Sequence, residues 1–177
     1  MKKIIKNNLS EKYSKGTIII HWISLVLIIL LLPTGFLMQE MKAEMRLNLL
    51  RVHTLFGILI FVLTLIRILF FFRNQRPSKL ETGSSFHNKL VVWIESSFYY
   101  LLIFLCLSGI TTLITSNLTE AIQNSEASLL PKKLDTPPLI THRALAILLI
   151  VLLIVHIGGV VTHYLKNKEN TLKRILP

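Results

Sequence analysis

Residues 142–165 read HRALAILLIVLLIVHIGGVVTHYL, and this stretch decides the fold. Residues 144–165 contain no Asp, Glu, Lys or Arg, and the run is longer than the roughly 18 apolar residues that mark a membrane span. Working outward, three more stretches share this character. Residues 17–38 carry no formal charge apart from histidine, residues 52–72 are interrupted by Arg67 alone, and residues 90–119 by Glu95 alone. The pattern predicts four transmembrane helices over about 17–38, 52–72, 91–115 and 140–164, each long enough for a hydrocarbon core of roughly 30 Å. A chain crossing lipid must satisfy its own backbone, which favours helices, and the short alternating strands of a barrel are absent. The expected fold class is therefore an all-α membrane protein, a four-transmembrane-helix bundle, with residues 1–177 forming one domain.

Composition agrees. Of 177 residues, 52% are hydrophobic and 16% charged, and mean hydropathy is +0.60. Twenty Lys+Arg against nine Asp+Glu give a formal charge of +11. Charge of that size with low hydrophobicity would indicate disorder, but here hydrophobicity is high. A soluble nucleic-acid binder would account for the charge and not for the apolar runs, so no nucleic-acid partner is expected. The single cysteine, Cys106, excludes an intrachain disulfide, a four-cysteine iron–sulfur site and covalent C-x-x-C-H haem attachment. The first span is too long for a signal-peptide core and lacks a small-x-small cleavage site, so it is expected to stay as an anchor, with Pro33 bending or ending its far side.

Basic residues set the expected orientation. Lys2, Lys3, Lys6, Lys12 and Lys15 precede the first span, Arg73, Arg76, Lys79 and Lys89 join the second to the third, and Lys166, Lys168, Lys173 and Arg174 follow the fourth. The opposite side has fewer: Lys42, Arg46, Arg51, Lys132, Lys133 and Arg143. The positive-inside rule then places both termini in the cytoplasm of a bacterial inner-membrane protein, with loops 39–51 and 116–139 outside. The inner clusters also suit anionic lipid headgroups.

Histidines inside spans are costly and mark function. Of the six, His21 lies near the inner end of the first helix, His53 near the outer end of the second, and His142 and His156 at the outer and inner levels of the fourth. Fourteen residues turn a helix through about 1400°, some 40° short of four turns, so His142 and His156 share a face about 21 Å apart in depth. His53 can face His142, and His21 can face His156. Two imidazoles opposed at each of two levels match two six-coordinate b-type haems, whose closed ligation favours electron transfer. Zinc is disfavoured, because two imidazoles leave a tetrahedral site half empty.

These residues resemble the bacterial cytochrome b561 family. The matching features are His21-Trp22, Arg51-Val52-His53 followed by Gly57, His142 and His156 at their fourteen-residue spacing, and the tail His163-Tyr164 with Asn170-Thr171-Leu172-Lys173-Arg174 and Pro177. The resemblance spans nearly the whole chain. It implies four spans, two non-covalent b haems on the same ligand pairs, and exchange with the quinone pool. In one branch of the family, superoxide is oxidised outside and the electron passes to ubiquinone. Glu95 stands about where many members carry a third-span histidine.

Other residues have candidate roles. Gly57, one turn after His53, can admit a flat macrocycle or close helix packing. Arg51 and Arg143 each adjoin an expected ligand and can meet haem propionates or steer superoxide. His163 lies one heptad below His156, where a quinone carbonyl would need a proton donor, although an interfacial histidine fits equally. Arg67 can snorkel or reach an inner propionate, with Glu95 a candidate partner; His87 falls outside the span. The leading expectation is a superoxide:quinone oxidoreductase, or an electron carrier alone. The alternatives are a cytochrome b subunit of a larger quinone-linked dehydrogenase, and a non-haem transporter or structural protein.

Overall fold

A computed structural model describes residues 8–74, 76–81 and 84–177. Lys2, Lys3 and Lys6 of the N-terminal basic cluster lie outside the described residues. The fold is all-helical, with no strand among the described residues: α1 (Lys15–Leu37), α2 (Ala43–Arg73), α3 (Ser85–Thr115), the short α4 (Leu118–Asn124) and α5 (Pro137–Asn167), with 3-10 turns at Met38–Glu40, Ala127–Leu129 and Thr171–Arg174. Four of these helices are long and apolar enough to cross a membrane.

The boundaries follow local chemistry. Ser14 caps α1 by accepting from the Thr17 N–H at 3.3 Å, filling one of the helix's orphan donors. α5 begins with Pro137 in its first turn, behind Thr136, where the missing N–H costs nothing. α1 does not end at Pro33 but runs through it to Leu37. α2 begins nine residues before the apolar run, because Ala43, Glu44, Met45 and Arg46 are good helix formers and Glu44 sits favourably in the first turn.

α1 packs on α2, α2 on α3, and α3 along α5. A dry core of Leu27 and Ile28 from α1, Ile60 from α2, Leu101 and Leu102 from α3 and Leu149 from α5 fills the middle of the bundle. Ile60 and Leu149 each lie midway in sequence between a loop-end histidine and a termini-end polar residue, so this layer divides the interior into two levels. Large apolar side chains cover the outside; Leu55 is 64% and Phe72 78% exposed. A surface of that kind suits lipid rather than water.

Each end of the bundle has a cap. At the loop end, α4 and the Ala127–Leu129 turn bury Leu118, Ala121 and Leu130 against Leu47 and Leu50 of α2. At the termini end, the Arg174 side chain is buried. Its Nη2 donates to the Ser78 carbonyl at 2.6 Å and its Nε to the Glu11 carbonyl at 3.2 Å. Tyr13 N–H donates to the Arg174 carbonyl, and Trp22 Nε1 to that of Ile175. Arg174 is thus a structural tie between three segments, where its sequence position had placed it among the headgroup-facing charges.

Candidate functional site

At the loop end of the bundle, α2 and α5 bring His53 and His142 together edge-on, with ring centroids 6.1 Å apart and planes at 72°. Both rings line a cavity of about 350 Å³, together with Gly57, Arg46 and Arg143. The proton positions on the two rings follow from their partners. His142 Nδ1 lies 2.9 Å from the Leu105 carbonyl, which only accepts, so Nδ1 carries the hydrogen. The Ser108 hydroxyl is 3.1 Å away and gives its own proton to Leu105. His53 Nδ1 lies 3.1 Å from the Thr34 hydroxyl. That hydroxyl donates back to the Leu30 and Leu31 carbonyls, so it accepts from the ring. In each neutral imidazole, Nε2 is left with the lone pair that binds a metal.

Two glycines that sequence reasoning passed over make this approach possible. A Cβ at Gly35 would lie 3.1 Å from His53 Cε1, and one at Gly109 would lie 3.1 Å from His142 Cε1. Gly35 follows Thr34 and Gly109 follows Ser108, so a hydroxyl–glycine pair recurs in two spans; that repetition was the available signal. Around Gly57 and Gly158-Gly159, by contrast, nothing lies within 4 Å of an added Cβ. Gly57 therefore opens onto the cavity rather than packing a helix.

The arginines divide. Arg143 Nη1 is 3.8 Å from Asp135, while its Nη2 is buried with no hydrogen-bond partner. Arg46 reaches the Pro131 carbonyl at 2.8 Å and lines the cavity. Arg51 donates to the Ile122 carbonyl at 3.2 Å and braces α4 instead.

At the termini end the rings do not meet in the same way. His21 stacks edge-on to Trp22 and His156 to Phe98. Arg67 is the electrostatic neighbour of both histidines. Its Nη2 donates to His21 Nδ1 at 3.2 Å, its guanidinium lies over Tyr99, and its Nε is buried and unpaired. Glu95 does not serve Arg67: it pairs with Arg76 at 3.1 Å. His163 accepts from Asn167 at Nδ1 and donates from Nε2 to Glu169, both at 3.1 Å. His87 is exposed at the start of α3, against Phe86.

The fold and these facing histidines define a class: a multi-pass helical membrane protein with a histidine-lined interior. Within that class, the chain belongs to the prokaryotic cytochrome b561 family, whose model it matches over residues 12–177. Comparison with curated proteins and with solved structures found no match. The family transfers electrons across the plasma membrane by b-type haem, so this chain is an oxidoreductase or electron carrier embedded in lipid. The non-haem transporter reading lapses with that membership.

The residues present fit such a group. At the loop end there are two opposed imidazoles with available Nε2, open space beside Gly57, and an unsatisfied guanidinium N–H on Arg143. At the termini end, the unpaired Nε of Arg67 calls for a carboxylate, which a haem propionate carries.

Proposed function

We propose that the chain moves electrons from superoxide, at the outer loop end, to ubiquinone at the termini end. In this proposal His53 and His142 are the iron ligands of an outer b haem, and His21 and His156 those of an inner one. The observation that carries it is the opposed His53–His142 pair, with both Nδ1 atoms engaged and both rings on the cavity. His53 with His142 and His21 with His156 would each hold one such group, which would supply one-electron redox chemistry at two depths.

The chain's own residues do the rest. Gly57 gives a flat ligand access to the α2 backbone. Arg143 offers its unpaired N–H to a carboxylate, and with Arg46 it makes a positive mouth that draws in a small anion. Arg51 steadies the α4 cap over this mouth. Arg67 would hold a carboxylate of the inner group and so release His21 Nδ1, which would leave Nε2 of that ring free to hold the iron. The Leu27–Ile60–Leu149 layer excludes water between the levels. His163 holds a proton at Nε2 on the carboxylate of Glu169, near the inner surface where a quinone oxygen must be protonated. The basic segments 73–89 and 166–174 put both termini in the cytoplasm.

The test is a dithionite-reduced minus oxidised spectrum of the detergent-solubilised protein, with haem counted per chain. Two b haems per chain, and their reduction by superoxide with quinol as product, is the expected result. Colourless protein after expression with haem supplied would overturn the proposal. Full haem content without superoxide-driven reduction would remove superoxide as the donor.

A further inference from the structure

The two outer histidines are held by the same device, repeated on two different helices. On α1, the Thr34 hydroxyl donates to the Leu31 carbonyl three residues back, at 2.9 Å, and faces His53 Nδ1 at 3.1 Å. On α3, the Ser108 hydroxyl donates to the Leu105 carbonyl three residues back, at 2.8 Å, and faces His142 Nδ1 at 3.1 Å. Each hydroxyl is followed by a glycine, Gly35 or Gly109, whose missing Cβ leaves 3.1 Å to the Cε1 of the same ring. On α3 the carbonyl shared with the hydroxyl also takes the ring proton: His142 Nδ1 is 2.9 Å from the Leu105 oxygen. Neither histidine is adjacent in sequence to its cradle.

We infer that Thr34-Gly35 and Ser108-Gly109 are paired positioning cradles that lock both outer imidazoles in the Nδ1–H tautomer with a set ring orientation. This rests on the reading of His53 and His142 as iron ligands. The physical consequence is electronic as well as geometric. An imidazole that donates from Nδ1 to an oxygen is a more basic ligand at Nε2. A more basic axial pair favours the oxidised metal, so the cradles hold the outer haem at a lower potential than the same histidines would alone. The inner level has a different arrangement. There the neighbour of His21 is the fixed positive charge of Arg67, and a buried cation favours the reduced state. The cradles therefore help set an inward slope for the electron.

The test uses the full-length haem-loaded protein with Thr34→Val, Ser108→Ala and the double variant, against Thr34→Ser and Ser108→Thr. The readouts are a spectroelectrochemical titration resolving two components and the low-spin paramagnetic resonance spectrum, which reports the relative orientation of the axial rings. Loss of a hydroxyl should let one component reduce more readily, with the oxidised-to-reduced ratio at fixed ambient potential falling roughly three- to tenfold, the worth of one hydrogen bond. Its resonance should shift as the ring is freed, the other component should stay put, and the hydroxyl-keeping variants should restore both signals. His53→Ala separates the two layers of the argument. If it leaves both haems in place, the ligand reading and this inference fail together. If it removes one haem while the hydroxyl variants titrate and resonate like the parent, the inference alone is overturned. Should the hydroxyl variants not accumulate, Gly35→Ala and Gly109→Ala displace the rings with the hydroxyls intact, and an unchanged resonance in them would equally overturn it.

Discussion

The imidazoles of His53 on α2 and His142 on α5 meet edge-on at a centroid separation of 6.1 Å, although the two residues are 89 positions apart in sequence. They meet because α3 packs against both helices, and because α1 and α3 each offer a glycine where the ring comes closest. Substituting either histidine by alanine is expected to remove one of two haems and abolish superoxide turnover, while the remaining spectrum persists. Haem quantitation per chain on the purified variants checks this.

Gly109→Ala puts a methyl group 3.1 Å from His142 Cε1, tighter than ordinary van der Waals contact. The ring must shift by a few tenths of an ångström, or α3 must move off α5. Overpacking of this kind costs about 1–3 kcal/mol. Lower thermal stability in detergent is expected for this variant, whereas Gly158→Ala, with nothing near its Cβ, should match the parent.

Arg67 is a half-buried cation at the termini end, with its Nε buried and unpaired. Arg67→Gln deletes the charge while keeping a polar side chain of similar length. The inner haem should then become harder to reduce, a shift opposite in sign to that expected for the Thr34 and Ser108 variants, and Arg67→Lys should retain part of the parent behaviour. A redox titration of the two components distinguishes these outcomes.

Arg174 joins the tail to Ser78 and Glu11 through carbonyl acceptors. Arg174→Ala strands those acceptors, and hydrogen bonds from a charged donor are worth about 1.5–3 kcal/mol each. A drop of about 3 kcal/mol or more in stability is expected, with little recovery in Arg174→Lys, because an ammonium cannot reproduce the guanidinium fork. Thermal unfolding and proteolysis of the tail measure it.

Glu11 provides a pH handle on the same cap. The Ser78 backbone N–H, 2.8 Å from Glu11 Oε2, holds its carboxyl below the usual 4.5, with Asn8 and Arg174 adding smaller pulls in the same direction. Because the folded value is depressed, the stabilisation is present above pH 4.5 and is lost as pH falls through that lower value. Tail proteolysis should therefore be flat near neutrality and rise only in acid, and Glu11→Gln should remove the acid dependence.

Several features of the site were legible in the chain. His142 and His156 share a face because fourteen residues nearly complete whole turns, and that relation is internal to one helix. His53 was assignable to the loop end of the bundle from its place in the second span, and it stands there beside His142. Other features depended on partners from distant segments. Glu95 is close enough in the topology to suggest Arg67, yet it pairs with Arg76. Arg51 sits two residues before a histidine, yet it turns to Ile122. Arg46 sits further off and reaches the cavity. Neighbours on a helix point about 100° apart, so adjacency to a ligand does not carry a side chain to the site.

The sequence by itself determined that four helices cross the membrane, where the charged segments fall and which histidines are candidates. Those properties depend on run length, charge count and helical period, all of which are one-dimensional. It took the tertiary structure to show how closely the His53 and His142 rings approach, that Thr34 and Ser108 stand against their Nδ1 atoms, and that Arg174 is buried in a cap. These depend on the rotation and tilt of each helix against its neighbours. That geometry arises from the packing of Leu27, Ile60, Leu101 and Leu149 together, and not from any one span alone.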